Sequence, residues 1–312
     1  MARLFPLPFM VSTGLLASCA TTTSRSVDMV TGGEVTIEDT ALRFSTLDVV
    51  FMGEEHDSDV GHAMQLELLV ALHERRPDLI LSMEMFERDV QDVLDAYLAG
   101  AVNEEKFLDT SRPWGNYRPH YRPLVEYARD NDLAVLAANI PRPLARKVSK
   151  EGPEAIAGEE FAARSSTAPP GLYHDLFWEI MNPSGGEPDD ELLQRFFAAQ
   201  CYKDDTMAES IADRLLLAWG QGRRPLVVHV CGKFHSDFGE GTVSRLRDRL
   251  PELRIAVVTM KSGDLQLDAA LQDPRGDVLW SVPAVEEETR AEGSHPPLSK
   301  DSEEEPETDG RP

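Results

Sequence analysis

Cysteine is scarce in this chain of 312 residues, and its scarcity excludes two classes of protein. The cysteines are Cys19, Cys201 and Cys231. They are too few for a disulfide framework, and no pair of them has the spacing of a zinc site. Cys201 and Cys231 could form one bridge in an oxidising compartment, but nothing in the sequence places them together.

Basic residues are also few, since 31 lysines and arginines stand against 55 aspartates and glutamates, a formal net charge of −24. Phosphate recognition needs a basic surface, so this balance excludes a general nucleic-acid-binding protein. The segment 285–312 contributes 3 − 10 = −7 of that charge. It has no apolar periodicity, and we expect it to be a disordered acidic tail.

The apolar stretch Leu4–Leu16 is too short for a membrane-spanning helix. Arg3 precedes it and small residues follow it, as in a secretory signal. Leu16-Ala17-Ser18-Cys19 resembles the bacterial lipobox, in which the signal (1–18) is removed and the cysteine is acylated. The resemblance implies a lipoprotein anchored through Cys19 to a membrane of the cell envelope, the outer membrane being expected, with residues 19–34 as a polar tether. The alternative is an ordinary secretory signal, which still places the chain in an extracytoplasmic space such as the periplasm.

Short β-branched runs alternate with longer amphipathic segments between residues 35 and 284. Several runs are apolar at consecutive positions, which is typical of strands buried on both faces of a parallel sheet. We therefore predict an α/β domain with a largely parallel central sheet flanked by helices. The predicted strands are 48–52, 79–83, 133–137, 226–230, 255–259 and 277–280. The predicted helices are 60–75, 89–98, 121–131 and 189–219.

Residues 151–190 are rich in proline and glycine and depart from this alternation. We expect helical pieces at 152–164 and 173–181, joined by turns. The segment is too short to bury a core of its own, so we interpret it as a helical insertion over the sheet.

The pattern Gly-x-x-His follows an apolar strand twice, at Gly53–His56 and at Gly232–His235. Glycine lets the backbone leave a strand or approach a neighbour closely. Glu84 follows another strand, and ligands of open α/β sheets collect at the carboxyl ends of the strands. We predict that His56, Glu84 and His235 meet in one crevice. The acids beside it are Glu54, Glu55 and Asp57.

Two imidazoles and a carboxylate are compatible with three chemistries: a divalent metal site, an acid–base set, or a hydrogen-bonded polar floor. A second feature is the stretch 111–150, whose local charge is 8 − 3 = +5 with aromatic residues interleaved. These cations either neutralise the acidic surface or bind an anionic, partly planar ligand. They are Arg112, Arg118, Arg122, Arg129, Arg142, Arg146, Lys147 and Lys150, and the aromatic residues are Trp114, Tyr117, Tyr121 and Tyr127.

These motifs together resemble the ChaN-like haem-binding uptake family of the Tiki superfamily, whose broader relatives include erythromycin esterases and TraB/Tiki proteins. The stretches are GEEHDSDVGHAMQLELLVAL (53–72), SMEMFERDVQ (82–91), NYRPHYRPLVEYARDNDLAVLAANIPRPLARKVSKEG (116–152), YKDDTMAESIADRL (202–215) and CGKFHSDFGEGTVSRL (231–246). The resemblance implies a haem pocket at the strand ends and a homodimer in some members. The pocket residues it implies are Gly53, Glu55, His56, Glu84, Arg118, Asn139, Arg142, Gly232 and His235. The candidate axial ligands of the haem iron are Tyr117, Tyr121, Tyr173 and His174.

The resemblance implies a membrane-anchored lipoprotein that binds haem in iron acquisition and has an outer-membrane iron-uptake receptor as a partner. The superfamily pattern equally suits a hydrolase that uses a divalent metal or a histidine and glutamate pair. In that alternative His56, Glu84 and His235 are the catalytic residues or metal ligands. A third interpretation is a surface interaction module with a vestigial pocket.

Overall fold

The computed structural model describes residues 24–182, 190–263 and 265–284. The expected signal segment with Cys19 and the acidic segment 285–312 lie outside the described residues, so these expectations stay predictions. In the described part of the chain, no helix has both the length and the apolar character needed to cross a membrane. Cys201 and Cys231 are both buried and are not joined by a disulfide.

The described residues form one seven-stranded sheet in the order β1-β7-β6-β2-β5-β3-β4. All neighbouring pairs are parallel except β1 with β7, which is antiparallel. The predicted α/β fold with a largely parallel sheet is therefore confirmed. The strands, numbered along the chain, are β1 Arg25–Asp28, β2 Val49–Glu54, β3 Leu79–Glu87, β4 Ala134–Asn139, β5 Leu226–Gly232, β6 Ile255–Ser262 and β7 Val278–Val282.

Six of these strands overlap the predicted ones, and β1 was not predicted. β1 has only four residues and lies at the sheet edge, so it lacks the apolar run by which the other strands are recognised. The central strands β2, β3 and β5 are buried along their whole length. Each continues past its predicted end, to Glu54, Glu87 and Gly232. Glu54 and Glu84 thus lie on the strands themselves, whereas His56 and His235 follow the ends of β2 and β5.

Ten α-helices are described, and the long helix α8 agrees with its prediction. The expected helix at 152–164 is wrong, because only a 3₁₀ turn forms at Pro153–Ile156. Gly152 and Gly158, with φ values of 91° and 81°, end helical geometry on both sides of that turn. The helices are α1 Ile37–Phe44, α2 Asp59–Arg75, α3 Gln91–Leu98, α4 Glu104–Ser111, α5 Arg122–Asp130, α6 Arg142–Glu151, α7 Leu172–Met181, α8 Asp190–Gly220, α9 Thr242–Arg249 and α10 Leu267–Gln272.

The sheet lies between two helical layers. Side chains of α1 to α5 cover one face, where Phe44, Leu69 and Phe107 belong to a single buried cluster with strand residues. Helices α8 and α9 cover the other face with Ile211 and Leu246, which pack near Phe51 and Val257. Burial of both sheet faces accounts for the continuous apolar runs of the strands.

Strand order decides which motifs meet. Strands β2 and β3 both pair with β5, so the two Gly-x-x-His elements end on adjacent strands and Glu84 lies on the next one. In the β2–β5 pair, Gly53 is opposite Cys231 and Glu54 is opposite Gly232. The carboxyl ends of three central parallel strands thus form a single rim.

Candidate functional site

The two Gly-x-x-His elements pack against each other through their glycines. A Cβ atom on Gly232 would lie 2.9 Å from both Cε1 and Nε2 of His56. A Cβ atom on Gly53 would lie 3.0 Å from Cα of Lys233 and would also collide with Oγ of Ser236. Each glycine therefore makes room for residues of the other element, which explains why the motif occurs twice.

His56 is oriented by a buried carboxylate. Its Nδ1 lies 2.8 Å from Oε1 of Glu54, which also accepts a 2.6 Å hydrogen bond from the hydroxyl of Tyr121. Oε2 of Glu54 accepts a 2.7 Å bond from Nε2 of Gln65. Because Nδ1 faces the carboxylate, the other edge of the ring, with Nε2, faces Gly232 at the strand-end rim.

The ionisation of this pair follows from burial and charge. Burial disfavours the charged carboxylate, but the nearby imidazoles of His62 and His56 outweigh it, and the pKa of Glu54 lies below its ordinary value. Burial likewise opposes the charged form of His56, yet the hydrogen bond and charge of Glu54 raise the pKa of the imidazole. Both shifts favour the charged form of each group.

His235 lies between two carboxylates. Its Nδ1 is 2.7 Å from Oδ1 of Asp204 and its Nε2 is 3.3 Å from Oε1 of Glu84. Oε2 of Glu84 accepts a 2.8 Å hydrogen bond from the backbone N–H of Gly232. Burial disfavours the imidazolium, but Glu84 and Asp204 together raise the pKa of His235 to about 10. The positive charge of His235 in turn lowers the pKa of both carboxyl groups, although burial opposes their charged forms.

Asp204 was not identified from the sequence. It lies on α8 and also accepts hydrogen bonds from Tyr173 (2.6 Å) and Thr242 (2.9 Å). Its pairing with His235 depends on how α8 packs over the sheet, which no local pattern reveals. The only signal was its position inside the stretch 202–215 of the family resemblance.

The structure thus brings His56, Glu84 and His235 to one rim, as expected from the strand ends. Asn139 supports the same rim, since its Nδ2 donates a 3.1 Å hydrogen bond to the carbonyl of Glu84. Glu55 turns away, because it pairs with Lys233 and accepts a 3.2 Å bond from the N–H of Ser262. The function of these residues stays a prediction.

Two predicted arginines do not contact the trio. Nε of Arg142 lies 2.9 Å from Oε1 of Glu87, which Arg112 also binds. Arg118 is exposed, and no ion pair of its own is described for the resolved ranges. The arginines of the stretch 111–150 therefore serve at least partly to neutralise nearby acids.

The four candidate axial ligands lie in different environments. Tyr117 packs in the core against Phe107, with ring centroids 5.9 Å apart. Tyr121 and Tyr173 are buried and donate their hydroxyl protons to carboxylates. Burial and those carboxylates raise the pKa of both phenols well above its ordinary value.

His174 differs from the tyrosines. Its side chain is 22% exposed, and its Nδ1 lies 3.0 Å from Oδ1 of Asp175. The ring stacks on Trp178, with centroids 4.0 Å apart, and meets Phe197 edge-on at 5.1 Å. Its Nε2 has no hydrogen-bond partner in the described part of the chain.

The trio does not have the geometry of a metal site. Within residues 24–182, 190–263 and 265–284, no group of three or more histidines, cysteines or acids is arranged to hold a metal ion. Both ring nitrogens of His235 face carboxylates, and an imidazolium has no lone pair for a metal. A metal could bind there only after that ion-paired network rearranged.

A family model described as haem-binding uptake, Tiki superfamily, ChaN matches residues 41–246. The chain belongs to this family. The match covers β2 to β5 and the first part of α9, and so includes both Gly-x-x-His elements, Glu84 and Asp204.

The solved structure of a ChaN protein shows the same fold at low sequence identity. The structure of ChaN of Campylobacter jejuni, described as binding haem cofacially, has a TM-score of 0.65 and 16% identity, covering 85% of this chain and 98% of its own. An erythromycin esterase has a TM-score of 0.43 and 12% identity, covering 77% of each chain. The Arabidopsis thaliana chloroplastic protein RETICULATA-RELATED 5 is 24% identical over 251 residues, or 74% of this chain. The chain spans only 34% of the length of that relative.

Proposed function

We propose that this family member binds haem and works as a lipid-anchored protein of iron or haem acquisition in the cell envelope. Family membership supports the haem ligand. The lipobox-like sequence before Cys19 supports the anchor. The observation that carries the proposal is the environment of His174, whose Nε2 has no partner among the described residues and whose ring lies beside an aromatic cluster.

His174 fits the ligand chemistry of haem iron. Iron-ligating histidines usually donate their other ring N–H to a carboxylate or carbonyl group, which fixes the tautomer. Asp175 occupies that position on Nδ1, so Nε2 is the nitrogen left to bind iron. Trp178, which is only partly buried, provides an apolar ring beside His174 for a planar macrocycle, and the buried Phe197 supports it from the core.

The tyrosines fit less well in this arrangement. An iron-bound phenolate has lost its proton, whereas Tyr121 and Tyr173 use theirs to bind Glu54 and Asp204. Burial and the adjacent carboxylate oppose phenolate formation at both positions. Either tyrosine would have to leave its carboxylate before it could ligate iron.

The first experiment is a haemin titration of the full chain, followed by the Soret band. We expect a shifted Soret band at micromolar haemin and its loss or displacement in His174→Ala. Asp175→Asn should weaken binding by about 10-fold, as is typical when the partner of a ligating histidine is changed. His73→Ala, a change of the same residue type on α2, is the matched control.

Two results would redirect or end the proposal. If Tyr173→Phe abolished the band while His174→Ala retained it, the ligand would be the tyrosine. If the unmodified chain gave no spectral change at micromolar haemin, haem binding itself would be contradicted.

A second candidate function is hydrolysis assisted by histidine and glutamate. The specific observation is the Glu54–His56 pair, in which the carboxylate holds Nδ1 and leaves Nε2 at the rim. An imidazole held in this way can take a proton from an attacking water molecule. Gly232 and Glu84 border that edge of the ring, so the Glu84–His235 pair lies beside it.

The pH dependence would identify such a reaction. His56 is a base only when neutral, and Glu54 raises its pKa, so turnover of a chromogenic carboxylic ester should increase as pH rises above 6.5. His56→Ala should abolish turnover and leave the haemin titration unchanged. Turnover that persisted in His56→Ala would exclude this mechanism without bearing on haem binding.

A further inference from the structure

A small cavity lies beside helix α10, where it is bordered by the strands β6 and β7. Its volume is about 180 Å³, and its buried lining includes Met29, Thr259 and Leu279. Ala270 of α10 forms part of its wall. An engineered cavity of about 150 Å³ accommodates benzene, so this cavity suits an occupant of about that size and is too small for a haem macrocycle.

The charged residues of the cavity lie at its exposed side. Lys261 and Arg275 are its cations and Asp273 is its acid, and all three are exposed. The lining thus has a positive balance in a chain whose net charge is −24. Among the described residues, Lys261 has no ion-pair partner. A cavity with cations at its mouth and apolar side chains below them fits a molecule that has one anionic end and a short apolar body.

Arg275 is held in place, but its hydrogen-bonding capacity is not used up. Its Nη1 lies 3.3 Å from Oδ2 of Asp237, and its guanidinium lies over the ring of Phe238, 4.9 Å from the centroid. In the part of the chain that the structure describes, its Nε and Nη2 have no hydrogen-bond partner. A guanidinium has five N–H donors, arranged as a fork that matches the two oxygens of a carboxylate. The edge formed by Nε and Nη2 can therefore bind a carboxylate through two hydrogen bonds.

The backbone beside this arginine is strained. Phe238 has a φ of 62°, which is uncommon for a residue other than glycine. Its N–H donates a 2.7 Å hydrogen bond to the carbonyl of Arg275, so the two loops hold each other. Strained conformations of this kind cluster at ligand-binding sites. Here the strained residue is the one whose ring supports the guanidinium.

We propose that this cavity binds a small monocarboxylate, a molecule with one carboxylate and a short apolar body, such as butyrate. The carboxylate pairs with Arg275 and Lys261, and the apolar body contacts Met29, Ala270 and Leu279. Inorganic phosphate would leave the apolar lining in water, and an amine would be repelled by the two cations. The proposal concerns a different cavity from the strand-end rim and depends on neither the haem nor the hydrolase function.

Isothermal titration calorimetry of the full chain with sodium butyrate tests the proposal. We expect saturable binding of butyrate. Acetate lacks two of its methylene groups and should bind about 10-fold more weakly, because it buries less apolar surface. Inorganic phosphate and butylamine should give no saturable heat.

Variants of the lining locate the binding site. Lys261→Gln should weaken butyrate binding by about 5-fold, and Lys261→Gln/Arg275→Gln should abolish it. Ala270→Leu fills the cavity but keeps both cations, so it should weaken the binding of butyrate more than that of acetate. The matched control, Lys106→Gln/Arg223→Gln, removes two exposed cations elsewhere and should bind butyrate like the unmodified chain. Lys261→Gln and Ala270→Leu both leave the Arg275–Asp237 pair in place, so their effects report on the cavity itself.

Three outcomes would overturn the proposal. The first is the absence of saturable heat when butyrate is added to the unmodified chain. The second is equal affinity for butyrate in the unmodified chain and in Lys261→Gln/Arg275→Gln, which would place the binding elsewhere. The third is equal affinity for butyrate and butylamine, which would show that the cations do not select the ligand.

Discussion

At the scale of residues, the two motif histidines have different partners and therefore different chemistry. His56 has one carboxylate on Nδ1 and a ring edge at the rim, whereas His235 has a carboxylate on each nitrogen. A histidine held on both sides cannot exchange protons without breaking an ion pair. His56 is thus the candidate for proton transfer, and His235 is a buried cation that holds Glu84 in place.

This difference predicts how stability depends on pH. The folded pKa of His235 is about 10, above the ordinary value of 6.5, so its stabilising contribution is complete below pH 6.5 and is lost as pH rises through 10. Glu84 behaves in the opposite way. Because its folded pKa is below the ordinary value of 4.5, its stabilising contribution is complete above pH 4.5 and is lost only as the solution becomes more acidic. We expect the free energy of unfolding, measured with urea, to fall between pH 6.5 and 10.

The matched variant is His235→Gln, which leaves Glu84 and Asp204 without their shared cation. At pH 6 it should be less stable by about 3–5 kcal/mol, the usual cost of removing one partner of a buried ion pair. The difference in free energy of unfolding between His235→Gln and the unmodified protein should become smaller as pH approaches 10. A constant difference across this range would contradict the assignment of His235 as an imidazolium.

At the scale of elements, the position of α8 depends on the end of β3. Arg88 follows β3 and donates a 2.7 Å hydrogen bond to Ser210 and a 2.9 Å bond to the carbonyl of Thr206. It also pairs with the buried Glu209 at 3.2 Å. These contacts hold the turn of α8 that follows Asp204, and so they fix how Asp204 approaches His235.

Arg88→Met should therefore destabilise the fold by about 3 kcal/mol, since Glu209 loses a partly buried partner. Arg195→Met removes an exposed i,i+4 pair with Glu191 on the same helix and should cost only about 0.5 kcal/mol. Urea unfolding of the two variants measures both values. Equal losses of unfolding free energy in the two variants would show that Arg88 does not anchor α8.

At the scale of the whole molecule, the site lies where the fold is most enclosed. Strands β2, β5 and β3 are central, and both sheet faces are covered by helices. The short strand β1 lies at the edge and pairs with β7 alone. A rim built on these central strands is therefore held by pairing on both sides of each strand.

Hydrogen exchange measured by mass spectrometry should reflect this arrangement. Amides of β2, β5 and β3 should exchange slowest, at the rate of global unfolding. Those of β1 should exchange at least 100-fold faster, because local fraying of four edge residues exposes them. Protection of β1 equal to that of β5 would contradict this hierarchy.

The sequence predicted most of the fold because its signals are local. Apolar runs of β-branched residues indicate buried strands, and six of the seven described strands were recognised in this way. The meeting of His56, Glu84 and His235 followed from one further rule, that parallel strands end at one edge of a sheet. The predicted helix 152–164 does not form, because Gly152 and Gly158 have positive φ values that interrupt helical geometry.

The sequence by itself determined the elements, the charge of each segment and the position of the motifs at strand ends, since these depend on neighbouring residues. The tertiary structure alone decided that β5 lies between β2 and β3, and that Asp204 reaches His235 from α8. It also gave Tyr117 and Tyr121 different partners, because both rings lie in one buried cluster but the hydroxyl of Tyr121 donates to Glu54. Such choices depend on long-range packing and on the π-helical turn at Tyr117–Tyr121, which local patterns do not encode.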